Sequence, residues 1–474
     1  MADSRGASTR LLDIQRVVNY QGKIIAFLSS ILVALFLTFQ LRDTGFSETQ
    51  DYVLFLLFFA TGLWVSEAIP PFATGIMIIG FLVFFLGSDY FNTHPESVKK
   101  YVNTWSDSVI WLMLGGFFLA EALKKVKLDK KIFLLASKRF GTDSHTLLLG
   151  LMPATTLGSM LMSNTATAAM MIASVSPLLA TLKPDSPYSK SLLLGIASSA
   201  SIGGMGTIIG SPANAIAVGS LENLGIKISF LDWMSIGVPL SFLFTLGLWW
   251  LLIKRFPHEN RALNIAHLFE EKPMISSPGR VAQRKLVLGV LIVTVLLWLS
   301  SAWHQIPVAA VSGVPILSLT MLGIINGDDV RKLPWDTLML IAGGLSLGLA
   351  IQETGLAQYF VSKLPTDQLG VLTLLLIFGL GTTLFSNIMS NTAAATVLIP
   401  LAGVLSPMEP TSLAVTIGLC ASCALFLPVS TPPNAIVFAT GKLHQNDFRL
   451  AGISIGLLGP LIIIGWVLMA KFWL

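Results

Sequence analysis

The chain has 474 residues, 54% hydrophobic and only 12% charged, with a formal net charge of +5 and a mean hydropathy of +0.76. Soluble domains carry about 25% charged residues, so this composition excludes a soluble enzyme or nucleic-acid binder and describes a protein that crosses a membrane many times. The apolar runs reach about 20 residues and do not alternate, which favours an all-α polytopic membrane protein over a β-barrel.

Residues 1–20 are polar and the first apolar run begins near Ile24, so no cleavable signal peptide is expected. About eleven transmembrane helices and two re-entrant hairpins are predicted from the apolar runs. The first four spans are expected at 24–42, 51–68, 71–88 and 107–126. A hairpin follows at 140–180, then a span at 190–220 broken at Gly210–Ala213, then a span at 232–253. The second half is read as spans at 285–303, 306–325 and 334–354, a hairpin at 368–406, and a span at 411–440 broken at Pro428–Pro433. A last span covers 450–472. The chain thus divides into an N-terminal segment with the first helix (1–50), a first repeat (51–253), a cytoplasmic linker (254–284) and a second repeat (285–474).

Loop charges fit this layout. With a cytoplasmic N-terminus, Arg42, Lys99, Lys100, Lys227, Lys363 and Lys471 lie outside, and the other 24 of the 30 basic residues (30−6) lie inside. That is a strong positive-inside bias. Each half then holds five spans and enters the membrane from the opposite side, so inverted repeats are expected.

The halves echo each other in register. TTLGSMLMSNTATAAMMI, from Thr155 to Ile172, returns as TTLFSNIMSNTAAATVLI, from Thr382 to Ile399, 227 residues on (382−155). Each copy carries a Ser-Asn-Thr triplet, Ser163-Asn164-Thr165 and Ser390-Asn391-Thr392. GSPANAI at Gly210–Ile216 is echoed by STPPNAI at Ser430–Ile436, and Gly115-Gly116 by Gly343-Gly344. A weaker match pairs Trp64…Ile69-Pro70 with Trp298…Ile306-Pro307.

Backbone exposed at a hairpin tip within the membrane is tolerated only where protein buries it or a wet cavity lines it. Ser, Asn and Thr suit that place. Their oxygens can ligate a small hard cation, and their N–H and O–H groups can donate to a carboxylate. The broken spans add free carbonyls for a cation and free N–H groups for an anion. A single triplet is more simply read as close packing of small residues. Packing alone does not require Asn and Pro to recur in register in both halves.

The predicted cores hold no Lys or Arg, so an anionic substrate would need helix ends, amide donors and co-bound cations to offset its charge. No relay of buried Asp, Glu or His is visible, which points to cation coupling rather than proton coupling. Glu67, Glu121, Asp336 and Glu353 sit at or near span ends and read as interfacial or capping residues, with Glu67 the best exception. His258, His267, His304 and His444 fall in loops or at span edges. Cys420 and Cys423 lie in an apolar run and read as packing residues. There is no nucleotide-binding loop, H-E-x-x-H or G-x-S-x-G, and the serines near the tips lack a nearby base, so an enzyme is not expected.

The paired triplets on hairpins, the phrase WVSEAIPP at Trp64–Pro71 and the turns Pro212-Ala213-Asn214 and Pro432-Pro433-Asn434 resemble the divalent anion/sodium symporter family. Its members carry dicarboxylates, citrate or sulfate with sodium. The likeness covers nearly the whole chain from about residue 50. It implies a homodimer in which a fixed scaffold domain and a moving transport domain, each drawn from both repeats, work by an elevator motion. The two hairpins belong to the transport domain. It places one sodium on Ser159, Ser163, Asn164 and Gly210, and a second on Ser386, Ser390, Asn391 and Ser430. It places the substrate carboxylates on Asn164, Thr165, Asn391 and Thr392, with Ser211, Thr431 and Pro432 beside them. The chain departs from a symmetric pattern at Ser211-Pro212-Ala213, where the other half has Thr431-Pro432-Pro433.

The expected function is sodium-coupled symport of small divalent anions, foremost C4-dicarboxylates such as succinate, fumarate or malate. The alternatives are a sodium-independent dicarboxylate or citrate exchanger and a sulfate carrier. Sodium-independent exchangers of this kind carry basic side chains near the cation positions, and none is found here. An intramembrane enzyme lacks its nucleophile–base pair, and a channel fits poorly with two tips closing on one site. Sodium is the co-transported ion, no organic cofactor is expected, and a bacterial inner membrane is the expected location.

Overall fold

The computed structural model describes residues 2–470 apart from 94, 96, 129–142, 184, 258–277, 364–369 and 406–408. Most of the linker, and with it Arg261 and Lys272, lies outside the described residues, as do Lys130, Lys131, Lys138 and Arg139. Among the described residues every regular element is a helix. The first half holds α1 (Ala2–Leu41), α2 (Glu48–Ser66), α3 (Pro71–Leu86), α4 (Ser108–Lys125), α5 (Ser144–Leu161) and α6 (Asn164–Thr181). It continues with α7 (Pro187–Gly203), α8 (Pro212–Asn223) and α9 (Phe230–Arg255). The second half holds α10 (Pro278–Leu299), α11 (Val308–Met321), α12 (Trp335–Glu353), α13 (Val371–Ile388) and α14 (Asn391–Leu405). It ends with α15 (Pro410–Ala421), α16 (Pro432–Phe438) and α17 (Arg449–Ala470).

Among the described residues eight helices are long and apolar enough to cross a membrane: Tyr20–Leu41, Glu48–Ser66, Lys99–Lys125, Phe230–Arg255, Gly279–Leu299, Trp335–Glu353, Val371–Ile388 and Gln445–Ala470. The difference from eleven has physical reasons. The spans expected at 71–88 and 306–325 form helices of 16 and 14 residues. At about 1.5 Å per residue even the longer covers only about 24 Å, short of a hydrocarbon core of about 30 Å. The two broken spans are divided into shorter helices. Val371–Ile388, assigned to a hairpin arm, is itself long enough to cross.

Helix ends follow local chemistry. Ser47 opens α2 with a capping box: its hydroxyl accepts from Gln50 N at 3.3 Å, and Gln50 Oε1 accepts from Ser47 N at 3.0 Å. The helix closes at Glu67 in the left-handed region, φ 48°. Pro70 and Pro71 then start α3, where a missing N–H costs nothing. Buried Trp64 donates to the Pro71 carbonyl at 3.3 Å and closes this corner. WVSEAIPP is therefore a helix–turn–helix corner, with Glu67 exposed at its cap.

The chain forms two compact units. One comprises residues 1–105 and 339–364, the other 106–338 and 365–474. In the first, α3 crosses α12 at glycines. A Cβ added at Gly343 would lie 2.3 Å from Gly75 Cα, and one at Gly75 2.7 Å from the Met339 carbonyl. Nearby, Ser346 Oγ donates to the Tyr101 carbonyl at 2.8 Å and meets Thr104 Oγ1 at 2.8 Å. Lys100 pairs with Glu353 at 2.9 Å.

In the second unit, α4 crosses α11 at the corresponding positions. A Cβ added at Gly115 would lie 2.7 Å from Ser312 Cβ. Gly115 is the echo of Gly343. Ser312 is the echo of Gly75, at the 237-residue spacing (312−75) that also separates Pro70 from Pro307 (307−70). The third helix of each repeat (α4, α12) thus packs against the second helix of the other repeat (α11, α3). This second unit also holds both helix pairs, α5–α6 and α13–α14, and both interrupted helices.

The glycine crossing is testable. Gly343→Ala should force α3 and α12 apart and lower stability by about 1–3 kcal/mol, read as a lower melting temperature in detergent. Gly80→Ala, on α3 where an added methyl meets nothing within 4 Å, should leave the melting temperature unchanged. Equal effects from both would mean that the crossing is not close.

Candidate functional site

Each Ser-Asn-Thr triplet starts a helix. After α5, Met162 is extended and Ser163 takes the N-cap position of α6, its hydroxyl accepting from Ala166 N at 3.2 Å. After α13, Met389 is extended and Ser390 does the same for α14, accepting from Ala393 N at 3.2 Å. Asn and Thr are therefore the first two helical residues in both halves. Their N–H groups have no partner within the helix and sit at the positive end of its dipole.

The interruptions are longer than the sequence indicates. Between α7 and α8 two tight turns, Gly204–Gly206 and Ile208–Gly210, flank an extended Thr207, and Ser211 is extended before Pro212. The break begins well before Gly210 because the tip of α5–α6 presses against this backbone. A Cβ at Gly203 would lie 2.5 Å from the Thr156 carbonyl, and one at Gly204 2.7 Å from Asn164 Oδ1. Between α15 and α16 the break covers residues 422–431. Thr431 is the N-cap of α16, accepting from Asn434 N at 3.4 Å, and Pro432 is its exposed first residue.

The first cluster joins Ser159, Asn164 and Gly210. Buried Ser159 Oγ lies 2.7 Å from Asn164 Oδ1 and donates to the Ala200 carbonyl at 2.6 Å. The inward-facing atom of the Asn164 amide also lies 3.2 Å from the Gly210 carbonyl and 3.1 Å from that of Ala200. With nitrogen inward, the amide donates to these acceptors. With oxygen inward, it joins the Ser159 hydroxyl and the Gly210 and Ala200 carbonyls in a set of oxygens suited to a small cation. Ser163 and Thr165 are exposed, and Ser211 is buried beside Gly210.

At the corresponding positions of the second half the polar atoms are left unmatched. Ser386 Oγ and Asn391 Oδ1 are buried and have no hydrogen-bond partner among the described residues. Ser430 Oγ donates to Asn387 Oδ1 at 2.7 Å. Thr392 is half-buried, and buried Thr431 receives a hydrogen bond from Ser201 Oγ at 3.4 Å. That bond ties the broken backbone of the second half to α7 of the first.

Five residues that the sequence reading gave no role in the site hold the two breaks. Asn214 donates to the carbonyls of Gly204 and Thr207, both at 2.8 Å. Asn434 donates to those of Leu427 at 3.0 Å and Leu425 at 3.4 Å. Thr207 Oγ1 donates to the Met160 carbonyl at 2.6 Å and accepts from Gly210 N at 3.0 Å. Trp233 donates to the Met205 carbonyl at 2.9 Å. Asn387 accepts from Phe426 N at 3.0 Å as well as from Ser430, and donates to the Thr383 carbonyl at 2.8 Å. The recurring Asn214 and Asn434 were visible in the paired turns. Thr207 aligns with Leu427, and Asn387 with Met160, so the repeat carried no signal for either.

No group of three or more His, Cys, Asp or Glu is placed to hold a metal among the described residues. The donors at both clusters are neutral hydroxyl, amide and carbonyl oxygens. Cys420 and Cys423 are both buried and are not joined by a disulfide.

Helix pairs whose tips meet interrupted helices, with neutral oxygens at each junction, are a recurring design of secondary transporters. Residues 61–418 match the family described as citrate transporters, and the chain belongs to that family. It is 30% identical over 452 residues to the sodium-dependent dicarboxylate transporter SdcS of Staphylococcus aureus (strain USA300), covering 87% of this chain and 84% of that protein. It is 29% identical over 477 residues to its namesake in Staphylococcus saprophyticus, covering 94% and 90%. Two solved structures share the fold. The YdaH transporter of Alcanivorax borkumensis aligns with a TM-score of 0.55 at 15% identity, over 85% of this chain and 98% of that one. MtrF of Neisseria gonorrhoeae, described as illuminating a class of antimetabolite efflux pumps, aligns with a TM-score of 0.53 at 12% identity, over 87% and 97%.

The two asparagine staples differ in geometry, so they should differ in consequence. Asn214→Leu strands two buried carbonyls, each held at 2.8 Å, and should cost about 1–3 kcal/mol. Asn434→Leu loses longer bonds and should cost less. Thermal unfolding in detergent orders the two, and the reverse order would discredit the staple assignment.

Proposed function

We propose that this protein is a sodium-coupled symporter of small dicarboxylates, with C4 anions such as succinate, fumarate and malate as the preferred class. The observation that carries the reading is the pair of oxygen clusters at the helix-pair tips. Ser386 Oγ and Asn391 Oδ1 are buried without partners among the described residues, and the Asn164 amide faces three acceptors. A buried polar atom without a partner costs about 1–3 kcal/mol. A small cation among these oxygens removes that cost, and unwound carbonyls are the usual complement of such ligands. The names of the staphylococcal relatives support sodium and dicarboxylate as the two cargoes.

In this reading Ser159, Ser163, Asn164 and the Gly210 carbonyl serve one sodium. Ser386, Ser390, Asn391 and the turn at Ser430 serve the other. The N–H groups that open α6 and α14, at Asn164-Thr165 and Asn391-Thr392, take the two carboxylates, with Ser211, Thr431 and Pro432 beside them. No basic side chain belongs to either cluster, so sodium supplies the positive charge that the anion needs. Coupling follows from shared residues. Asn164 and Asn391 face both cargoes, and whatever sodium does for anion affinity the anion must do for sodium affinity.

The same reading includes re-entrant helix pairs in inverted repeats and a cytoplasmic N-terminus. It also includes a homodimer whose unit bearing both helix pairs moves as an elevator. The family description makes citrate the competing cargo.

Proteoliposomes give the central test. Labelled succinate uptake should rise steeply with sodium and fail with potassium, while a proton gradient alone should not drive it. Butyrate should compete poorly, and citrate should compete without replacing succinate as cargo. Asn164→Ala and Asn391→Ala should each weaken sodium and succinate half-saturation together, by about ten- to a hundredfold for one charge-assisted hydrogen bond of roughly 1.5–3 kcal/mol. Unchanged half-saturation in both variants would refute the site.

Orientation is tested separately. A cysteine at Tyr90, 95% exposed, should react with an impermeant thiol reagent from outside. One at Asp328 should react only from the cytoplasm, and labelling of both from one side would overturn the inverted layout.

A further inference from the structure

We propose that Thr245 and Ser241 of α9 are positioning residues for the first sodium cluster, holding its two walls, α5 and α7, in register. The inference rests on the sodium reading above. Trp233, Gly237, Ser241, Thr245 and Trp249 follow one another at four-residue intervals, so they lie along one ridge of α9. At one end Trp249 Nε1 donates to the His145 carbonyl of α5 at 3.2 Å. At the other, Trp233 donates to the Met205 carbonyl at 2.9 Å, and a Cβ added at Gly237 would lie 2.3 Å from that same oxygen. Between them, buried Thr245 Oγ1 lies 2.7 Å from buried Thr156 Oγ1 of α5. The Thr156 hydroxyl donates to the Met152 carbonyl at 3.1 Å. It has a single hydrogen, so Thr245 is the donor of the pair. Buried Ser241 Oγ shares its hydrogen between the Gly237 carbonyl of its own helix at 2.8 Å and the Ile202 carbonyl of α7 at 3.2 Å.

These bonds end within a turn of the cluster. One turn beyond Thr156, Ser159 donates to the Ala200 carbonyl at 2.6 Å. Two residues beyond Ala200 lies Ile202, the acceptor of Ser241. At the next residue, a Cβ added to Gly203 would lie 2.5 Å from the Thr156 carbonyl and 2.9 Å from Ser159 Cβ. The two walls therefore touch at the residues that α9 grips. A slip of α5 along α7 would carry the Ser159 hydroxyl and the Asn164 amide away from the Ala200 and Gly210 carbonyls.

Small and hydroxyl residues where membrane helices meet are ordinarily explained by close packing. The second repeat shows what packing alone uses. Ser235-Ile236-Gly237 returns as Ser454-Ile455-Gly456 on α17, 219 residues on (454−235). In that register Trp233, Ser241, Thr245 and Trp249 become Gly452, Pro460, Ile464 and Leu468. None of these four side chains can donate a hydrogen bond. Gly452 instead admits the second interruption, since a Cβ there would lie 2.3 Å from Phe426 Cα. Thr383, the echo of Thr156 (383−156 = 227), donates to the Cys420 carbonyl of α15 at 3.1 Å. The hydrogen-bonded ridge thus belongs to the first half alone. Apolar contact holds α17 against the second helix pair, so the polar bonds of α9 serve more than cohesion. They set the spacing of the first cluster's oxygens.

The test is the sodium dependence of succinate uptake by the full-length protein in proteoliposomes. Thr245→Val keeps the side-chain shape and removes the hydroxyl. It should raise the sodium half-saturation about three- to tenfold, the size of one neutral hydrogen bond, and leave the maximal rate at saturating sodium unchanged. Thr245→Ser should restore the wild-type value. Ser241→Ala should shift the half-saturation in the same direction, and it carries the test if Thr245→Val does not reach the membrane. Thr294→Val is the control. It removes a buried hydroxyl that bonds within its own helix, to the Val290 carbonyl at 2.8 Å, and should change nothing. A half-saturation unchanged in Thr245→Val and Ser241→Ala, or shifted equally by Thr245→Ser or Thr294→Val, would overturn this proposal alone. Wild-type uptake that ignores sodium would overturn the sodium reading and this proposal with it.

Discussion

Polar backbone in an apolar medium must find its partners within the chain. The rest of this structure depends on how that is done where two helices are interrupted. In the first half the open carbonyls of Gly204 and Thr207 are held by Asn214, that of Met205 by Trp233, and the tip of the helix pair by Thr207. In the second, Asn434 holds Leu425 and Leu427, and Asn387 holds Phe426 and Ser430. Ser386 Oγ and Asn391 Oδ1, on the helix pair beside the second interruption, are left without partners among the described residues.

The two halves solve the problem from opposite sides. In the first, the linking side chain, Thr207, belongs to the interruption and reaches the helix pair. In the second, the linking side chain, Asn387, belongs to the helix pair and reaches the interruption. Glycines allow the first solution, since Gly203 and Gly204 let the tip approach the backbone itself. The second interruption holds no glycine, and an amide spans the gap instead. A duplicated frame therefore carries two clusters that are similar in composition and different in their supports.

This asymmetry marks where the sequence is legible. Register between the copies reveals the triplets and the interrupted helices, because each has a counterpart, whereas the grouping of Ser159 with Asn164 and Gly210 was implied by the family resemblance. Thr207 and Asn387 stand opposite Leu427 and Met160, so a comparison of copies passes over them. The early start of the first break is hidden for another reason. Gly203 and Gly204 matter through contacts with Thr156 and Asn164, about 40 residues away in sequence (204−164), and no local pattern records that. The Gly115-Gly116 and Gly343-Gly344 pairs were visible as echoes. Their partners, Ser312 and Gly75, were not, because tertiary packing chooses them.

Those crossings bear on how the protein is made. Gly115 on α4 packs against Ser312 on α11, a helix synthesised 197 residues later (312−115). Translation at about 5–20 residues per second separates the two by roughly 10–40 s. During that interval α4 must reside in the bilayer with its glycine face against lipid. Hydrocarbon tolerates this, because lipid tails cover a small-residue groove without stranding any polar group. Neither half can settle its own second and third helices alone. The ribosome must deliver the second copy before the first is packed.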